Sequence, residues 1–167
     1  AADCAIDIAA GPELSVAATK SFVNSALAGL MVLAEWTQNE ALRSAIRRLP
    51  DALEKAVRCD WSALLEGLDG KSSLYVLGRG PSQPIAAEVA LKFKETSGMH
   101  AEAYSAAEVL HGPVSIVGKG FPVLAITLPD AAEAHVLDVC KRVAGQGAKV
   151  FIAGSSLDGA ISLPTAS

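Results

Sequence analysis

The ionisable side chains that could do chemistry are concentrated between residues 88 and 111. Glu88, Lys92 and Glu95 are spaced by four and then three residues, so on a helix they share one face and the lysine lies near both carboxylates. Such carboxylates could move a proton in general acid–base catalysis. The same spacing also describes an exposed ion-pair stripe, which contributes little to stability. The pattern leaves both interpretations open.

Two histidines lie close to this group along the chain. His111 occurs in a Leu-His-Gly-Pro turn, from which an imidazole can project into a cleft, whereas His100 begins a strand and could be a strand-end residue. Metal binding by His100, Glu102 and His111 is a further interpretation. Their spacing matches no recognised ligand motif, so we predict no metal site. His135 lies on a predicted helix, and we expect it at the surface.

A glycine-rich turn follows the first strand of the same region. Gly78-Arg79-Gly80 resembles the opening of a dinucleotide fingerprint, in which glycines let a phosphate approach a helix N-terminus. The third glycine of that motif is absent, because position 83 is Gln83. A tight strand-to-helix turn explains the glycines, and we predict no organic cofactor.

The elements that must position these residues alternate between strand and helix after residue 71. This alternation is typical of an α/β fold, and it predicts a three-layer α/β/α sandwich with a parallel sheet and right-handed crossovers. The predicted strands are Ser73–Leu77, His100–Tyr104, Pro122–Leu128, Lys149–Ala153 and Ile161–Leu163, and the predicted helices run from Ser82 to about Thr96 and from about Ala131 to Val143.

The residues before this unit form a predominantly helical segment. Ala5–Ala10 reads as a last strand, and a helical pattern begins at Ser15. A second helix is predicted from about Asn39 to Leu49, and Pro50 is predicted to open a third. The fold class is therefore an α/β sandwich preceded by the helical remnant of another such unit.

The composition excludes several classes of protein. Of 167 residues, 51% are hydrophobic and 19% are charged, with a formal net charge of −4, which is typical of a folded domain. No Lys and Arg cluster is present, so we predict no nucleic-acid partner. The stretch Phe22–Ala34 is too short to span a bilayer, so we predict no membrane association. Three widely spaced cysteines indicate reduced thiols and a cytoplasmic location.

Two segments resemble the double sugar-isomerase (SIS) domain family. The first is Gly11–Lys20, GPELSVAATK. The second is Ala87–Tyr104, AEVALKFKETSGMHAEAY, which continues to EVLHGP at Glu108–Pro113. The resemblance implies that residues 1–48 are the C-terminal part of a first SIS domain, 49–71 a connecting helix, and 72–167 a second SIS domain that lacks its C-terminal tail.

The resemblance also implies a function. Members of the family interconvert aldose and ketose forms of hexose phosphates or amino-sugar phosphates by proton transfer between C1 and C2, as homodimers. By this resemblance Glu95 is the general base, Lys92 lies beside the substrate, and His111 assists ring opening across a dimer interface. The segment of Val16, Ala17, Ala18 and Thr19 lines the sugar through backbone groups.

Within the family, the sequences of residues 12–20 and 107–113 are more similar to the stand-alone glucosamine-6-phosphate deaminase and ketose-aldose isomerase branch. The isomerase half of glutamine-fructose-6-phosphate aminotransferase is an alternative, and a non-catalytic sugar-phosphate-sensing SIS module is another. The chain has no initiating Met, which indicates a piece of a longer protein. The family's phosphate-binding loops would lie upstream of it, so we expect this piece alone to be inactive.

Overall fold

The computed structural model describes residues 3–166. They form two compact units. The first holds the residues up to Arg58 together with Ala166, and the second spans Cys59–Thr165.

The second unit is built on a five-stranded parallel sheet. Its strands are β1 (Ser73–Gly78), β2 (His100–Ser105), β3 (Pro122–Ile126), β4 (Lys149–Ala153) and β5 (Ile161–Leu163). Their order is β2-β1-β3-β4-β5, and every neighbouring pair is parallel. The central strands are nearly continuous runs of buried apolar residues, because helices cover both faces of a parallel sheet. The predicted parallel α/β architecture is confirmed.

Helices on the two faces complete three layers. Helices α3 (Ser62–Leu68) and α4 (Ser82–Ser97) cover one face, and α5 (Glu133–Gly145) covers the other with two short 3-10 helices, Val109–His111 and Pro113–Ile116. Along β1, Leu74 and Val76 face α4, whereas Tyr75 and Leu77 face the opposite layer. This alternation divides the apolar interior into two cores, one on each side of the sheet.

The first unit is a pair of helices, α1 (Lys20–Trp36) and α2 (Glu40–Ala56). Asn39 begins α2 as its N-cap, because its side-chain oxygen accepts the Leu42 N–H at 3.0 Å. Arg43 of α2 donates to both carboxylate oxygens of Glu35 on α1, at 2.9 and 2.7 Å, and ties the two helices together. In α1, Ala34 is buried and most of the large apolar side chains are exposed.

Three predictions about this helical segment are wrong. Ala5–Ala10 forms no strand, because no described strand in the first unit is available to pair with it. Helix α1 begins at Lys20 and not at Ser15. Pro50 lies inside α2 and does not open a new helix. No residue of α2 is buried, so water can hydrate the carbonyl group that Pro50 leaves without an amide partner.

Candidate functional site

A lysine on α4 bridges two carboxylates, as the four-then-three spacing predicts. Lys92 Nζ lies 2.6 Å from Glu95 Oε2, to which it donates a hydrogen bond, and 3.3 Å from Glu88 Oε1. The pKa of Lys92 is raised, first by the hydrogen bond to Glu95 and then by Glu88. Lys92 therefore carries its positive charge at neutral pH.

This ion-pair group is partly shielded from water. Glu95 is exposed as a residue, but only 22% of its side chain is accessible, and the side chains of Lys92 and Glu88 are 23% and 20% accessible. Lys92 holds Oε2 of Glu95, and a carboxylate held at one oxygen can accept a proton from a ligand at the other, Oε1. The arrangement can therefore place an oriented base next to a fixed cation.

The turn between β1 and α4 fixes where this helix face points. A Cβ added to Gly78 would lie 2.6 Å from the carbonyl oxygen of Ser82, so only glycine allows the end of β1 to approach α4 this closely. The Ser82 hydroxyl accepts the Arg79 N–H and donates to the Arg79 carbonyl, both at 3.0 Å. At the other end, Gly98 closes α4 in the left-handed conformation at φ 64°. The glycine-rich turn is thus the tight strand-to-helix turn that was predicted.

In the described residues, His111 is not bonded to the ion-pair group. His111 is exposed and ends the 3-10 helix Val109–His111, where its N–H donates to the Glu108 carbonyl at 2.9 Å. Among residues 3–166, no hydrogen bond or ion pair joins His111 to Lys92 or Glu95. The role of His111 in catalysis stays a prediction.

The predicted substrate-binding segment lies in the first unit, in the loop before α1. Val16 is 91% exposed. The Thr19 N–H donates to Glu13 Oε2 at 3.1 Å, and the Ala17 carbonyl accepts the Ser15 hydroxyl at 3.2 Å. Two of the backbone groups in this segment are therefore occupied within the loop, and Ala18 also has a partner.

Glu13 organises this loop, and sequence reasoning did not single it out. Its Oε2 accepts the Ser21 N–H at 3.0 Å and the Ser21 hydroxyl at 2.6 Å, in addition to the Thr19 N–H. These hydrogen bonds lower the pKa of Glu13 to about 2, and the two from Ser21 have the largest effect. A carboxylate placed shortly before a helix start is the signal that could have identified this cap.

Neither a metal site nor a membrane span is present in the described part of the chain. Between residues 3 and 166, no three His, Cys, Asp or Glu side chains come together as metal ligands. His100 and Glu102 approach each other, with Nε2 and Oε1 3.7 Å apart, as a surface pair. None of the described helices is both long enough and apolar enough to cross a bilayer.

Family membership follows from comparison with known sequences. The SIS domain family profile matches residues 67–160, which hold the whole parallel sheet except its last strand and include α4 and the His111 turn. The chain therefore belongs to the SIS domain family. The resemblance read from Ala87–Tyr104 and Glu108–Pro113 is confirmed at the level of the family.

Individual relatives are named for sugar-phosphate chemistry. The glutamine–fructose-6-phosphate aminotransferase (isomerizing) of Sulfolobus acidocaldarius is 38% identical over 149 residues, which cover 86% of this chain and 24% of that protein. A crystal structure from Silicibacter pomeroyi, of a protein proposed to be a phosphosugar isomerase, is 52% identical with a TM-score of 0.89, and the match covers 95% of this chain and 49% of that one.

A third relative is the C-terminal domain of the glucosamine-fructose-6-phosphate aminotransferase of Francisella tularensis. It is 29% identical with a TM-score of 0.74, and the match covers 92% of this chain and 48% of that one. The chain thus spans about a quarter of the curated relatives that it matches and about half of these two solved chains.

Proposed function

We propose that this chain supplies the proton-transfer helix of an enzyme that isomerises a hexose 6-phosphate or an amino-sugar phosphate. The observation that carries the proposal is the Glu88–Lys92–Glu95 group on α4, in which a charged lysine holds one oxygen of Glu95 and leaves the other to act as a base. Membership in the SIS domain family and the names of the relatives support the substrate class.

The proposed chemistry moves one proton between adjacent carbons. Glu95 takes the proton from C2 of the opened amino sugar and returns it to C1, through an enolamine. Lys92 stabilises the negative charge that develops on the substrate oxygen next to it, and His111, contributed across the proposed dimer interface, assists ring opening. A positioned acid–base group contributes a factor of ~10² to 10⁴ in rate.

The specific reaction proposed is deamination of glucosamine 6-phosphate. Proton transfer from C2 to C1 converts the amino sugar into a C2 imine, water adds to that imine, and ammonia leaves to give fructose 6-phosphate. The 52% identity to a protein proposed to be a phosphosugar isomerase supports the isomerisation part of this reaction.

A second candidate is the isomerase half of a glutamine-dependent aminotransferase. It is favoured by curated relatives of that name that are 34–39% identical to this chain. The proton transfer is the same in the two candidates, but the direction and the nitrogen source differ.

The proposal includes a second SIS domain and a homodimer. We infer that residues 1–48 complete a first SIS domain, that 49–71 connect it to the second, and that the second continues through 72–167. Two facts support this. The solved relatives are about twice as long, and α1 exposes large apolar side chains such as Met31 and Trp36, which a further layer would bury.

Substrate assays on the full-length protein test the proposal. Glucosamine 6-phosphate is supplied alone, and fructose 6-phosphate is supplied with ammonia or with glutamine. Release of fructose 6-phosphate and ammonia from the amino sugar is the expected result. Glutamine-dependent formation of the amino sugar identifies the aminotransferase, and absence of turnover with all substrates overturns the proposal.

A further inference from the structure

A hydroxyl group from the sheet interior holds the turn that carries His111. Tyr75 lies on β1 and is only 3% exposed, and its Oη donates to the Pro113 carbonyl at 3.1 Å. Pro113 begins the second 3-10 helix and follows His111 by two residues. Gly112, between them, has φ 149°, a conformation that favours glycine. One glycine therefore separates the imidazole from the anchored carbonyl.

Tyr75 is itself fixed by aromatic neighbours. Its ring packs edge-on against Tyr104 and Phe121, with 4.9 Å between ring centroids in both pairs. The Tyr104 hydroxyl donates to Glu102 Oε2 at 2.6 Å, which is the main reason that its pKa rises to about 12. Burial raises the pKa of Tyr75. Both hydroxyls are protonated at neutral pH and can donate.

We propose that Tyr75 is a positioning residue for His111, and that its hydrogen bond to Pro113 sets the efficiency of sugar ring opening. The inference rests on the proposed function, in which His111 assists that step. Tyr75 acts through the turn and does not touch the substrate. Its loss therefore slows ring opening and leaves proton transfer on an already open sugar unchanged.

The test compares two substrates in the full-length protein. One is the hexose phosphate that the protein turns over. The other is its 4,5-dideoxy analogue, which lacks both hydroxyls that can close a five- or six-membered ring and therefore stays open. Tyr75→Phe keeps the ring and its packing but removes the donor to Pro113. Tyr104→Phe is the matched control, because it removes the neighbouring hydroxyl, which donates to Glu102 and interacts with Tyr75, but keeps the Tyr75 hydroxyl that donates to Pro113.

We expect Tyr75→Phe to lower kcat/KM for the cyclic substrate about tenfold, because a small displacement of a reacting group is costly in rate. For the 4,5-dideoxy analogue kcat/KM should change less than about twofold, since the turn is not used in that reaction. His111→Asn should show the same selectivity with a larger loss, and Tyr104→Phe should leave the ratio of the two substrates at its wild-type value.

Each outcome distinguishes this inference from the function on which it rests. The inference is overturned if Tyr75→Phe leaves the ratio of kcat/KM for the two substrates unchanged, whether both values fall equally or neither falls. In both cases the Tyr75 hydroxyl has no specific effect on ring opening. A shifted ratio in Tyr104→Phe that equals the shift in Tyr75→Phe also overturns it. If the wild-type protein converts neither substrate, the proposed function fails before the role of Tyr75 is reached.

Discussion

Replacing Gly78 with alanine should lower activity by displacing α4, although it changes none of the proposed catalytic residues. The new Cβ would lie 2.6 Å from the Ser82 carbonyl oxygen, 2.8 Å from the Ser82 carbonyl carbon and 3.1 Å from the Ala86 Cβ. The two nearest atoms belong to the backbone of α4, so no side-chain rotation relieves the contact. To restore an ordinary separation, α4 must move away from β1 by roughly 0.5 to 1 Å.

The size of the effect follows from that displacement. Overpacking a buried position destabilises the folded state by about 1–3 kcal/mol. Alanine also restricts the unfolded backbone more than glycine does, which offsets this by about 0.4–1 kcal/mol. We therefore expect the free energy of unfolding to fall by about 1–2 kcal/mol. Because α4 carries Lys92 and Glu95, kcat/KM should fall by about 10- to 100-fold, since a 1 Å misplacement is worth up to ~10².

The assay needs a control for the substitution itself. Gly118→Ala serves, because an added Cβ there has no atom within 4 Å and its φ is not positive. Urea unfolding and kcat/KM are measured for both variants in the full-length protein. If Gly78→Ala matches Gly118→Ala in stability and rate, the argument that this glycine seats α4 is refuted.

Three further outcomes are expected. Lys92→Met should lower kcat/KM by roughly 10²-fold, since Glu95 loses the cation that holds its Oε2, whereas Lys94→Met should leave kcat/KM near the wild-type value. Glu13 titrates at about 2, so its bonds to Thr19 and Ser21 stabilise the start of α1 above about pH 4.5 and are lost as pH falls toward 2. A midpoint near 4.5 in the amide shifts of Thr19 and Ser21 would contradict this cap, and Glu13→Gln should abolish the titration. Light scattering of the full-length protein should show a dimer, and a monomer at micromolar concentration would count against it.

The sheet and the helix face were predictable because local patterns determine them. Alternating strands and helices with short turns allow few arrangements, and β4 and β5 have the predicted bounds. The Lys92 bridge was also predictable, because side chains three and four residues apart on a helix are neighbours. The spacing left open whether this group is a surface stripe or a catalytic set, and the catalytic role of Glu95 stays a proposal.

The remaining features depend on contacts that no local pattern encodes. Tyr75 and Pro113 are 38 residues apart, so their hydrogen bond emerges only after β1 and the 3-10 helices pack together. Glu13 precedes α1 in the chain and accepts the N–H groups of Thr19 and Ser21, so the helix begins at Lys20 and not at Ser15 as the apolar pattern predicts. Local sequence predicts a helix start at Pro50, because proline usually interrupts a helix. Helix α2 continues through Pro50 because it is exposed to solvent, and that exposure depends on the tertiary structure.

Exchange of the C2 hydrogen of a hexose phosphate with deuterated water tests the central claim most directly, because it reports proton transfer without requiring net turnover. The full-length protein is compared with Glu95→Gln and with Glu88→Gln, which removes the same charge from the other side of Lys92. We expect Glu95→Gln to slow exchange by about 10³-fold or more and Glu88→Gln by no more than about tenfold. Exchange at a near wild-type rate in Glu95→Gln would show that another group moves the proton.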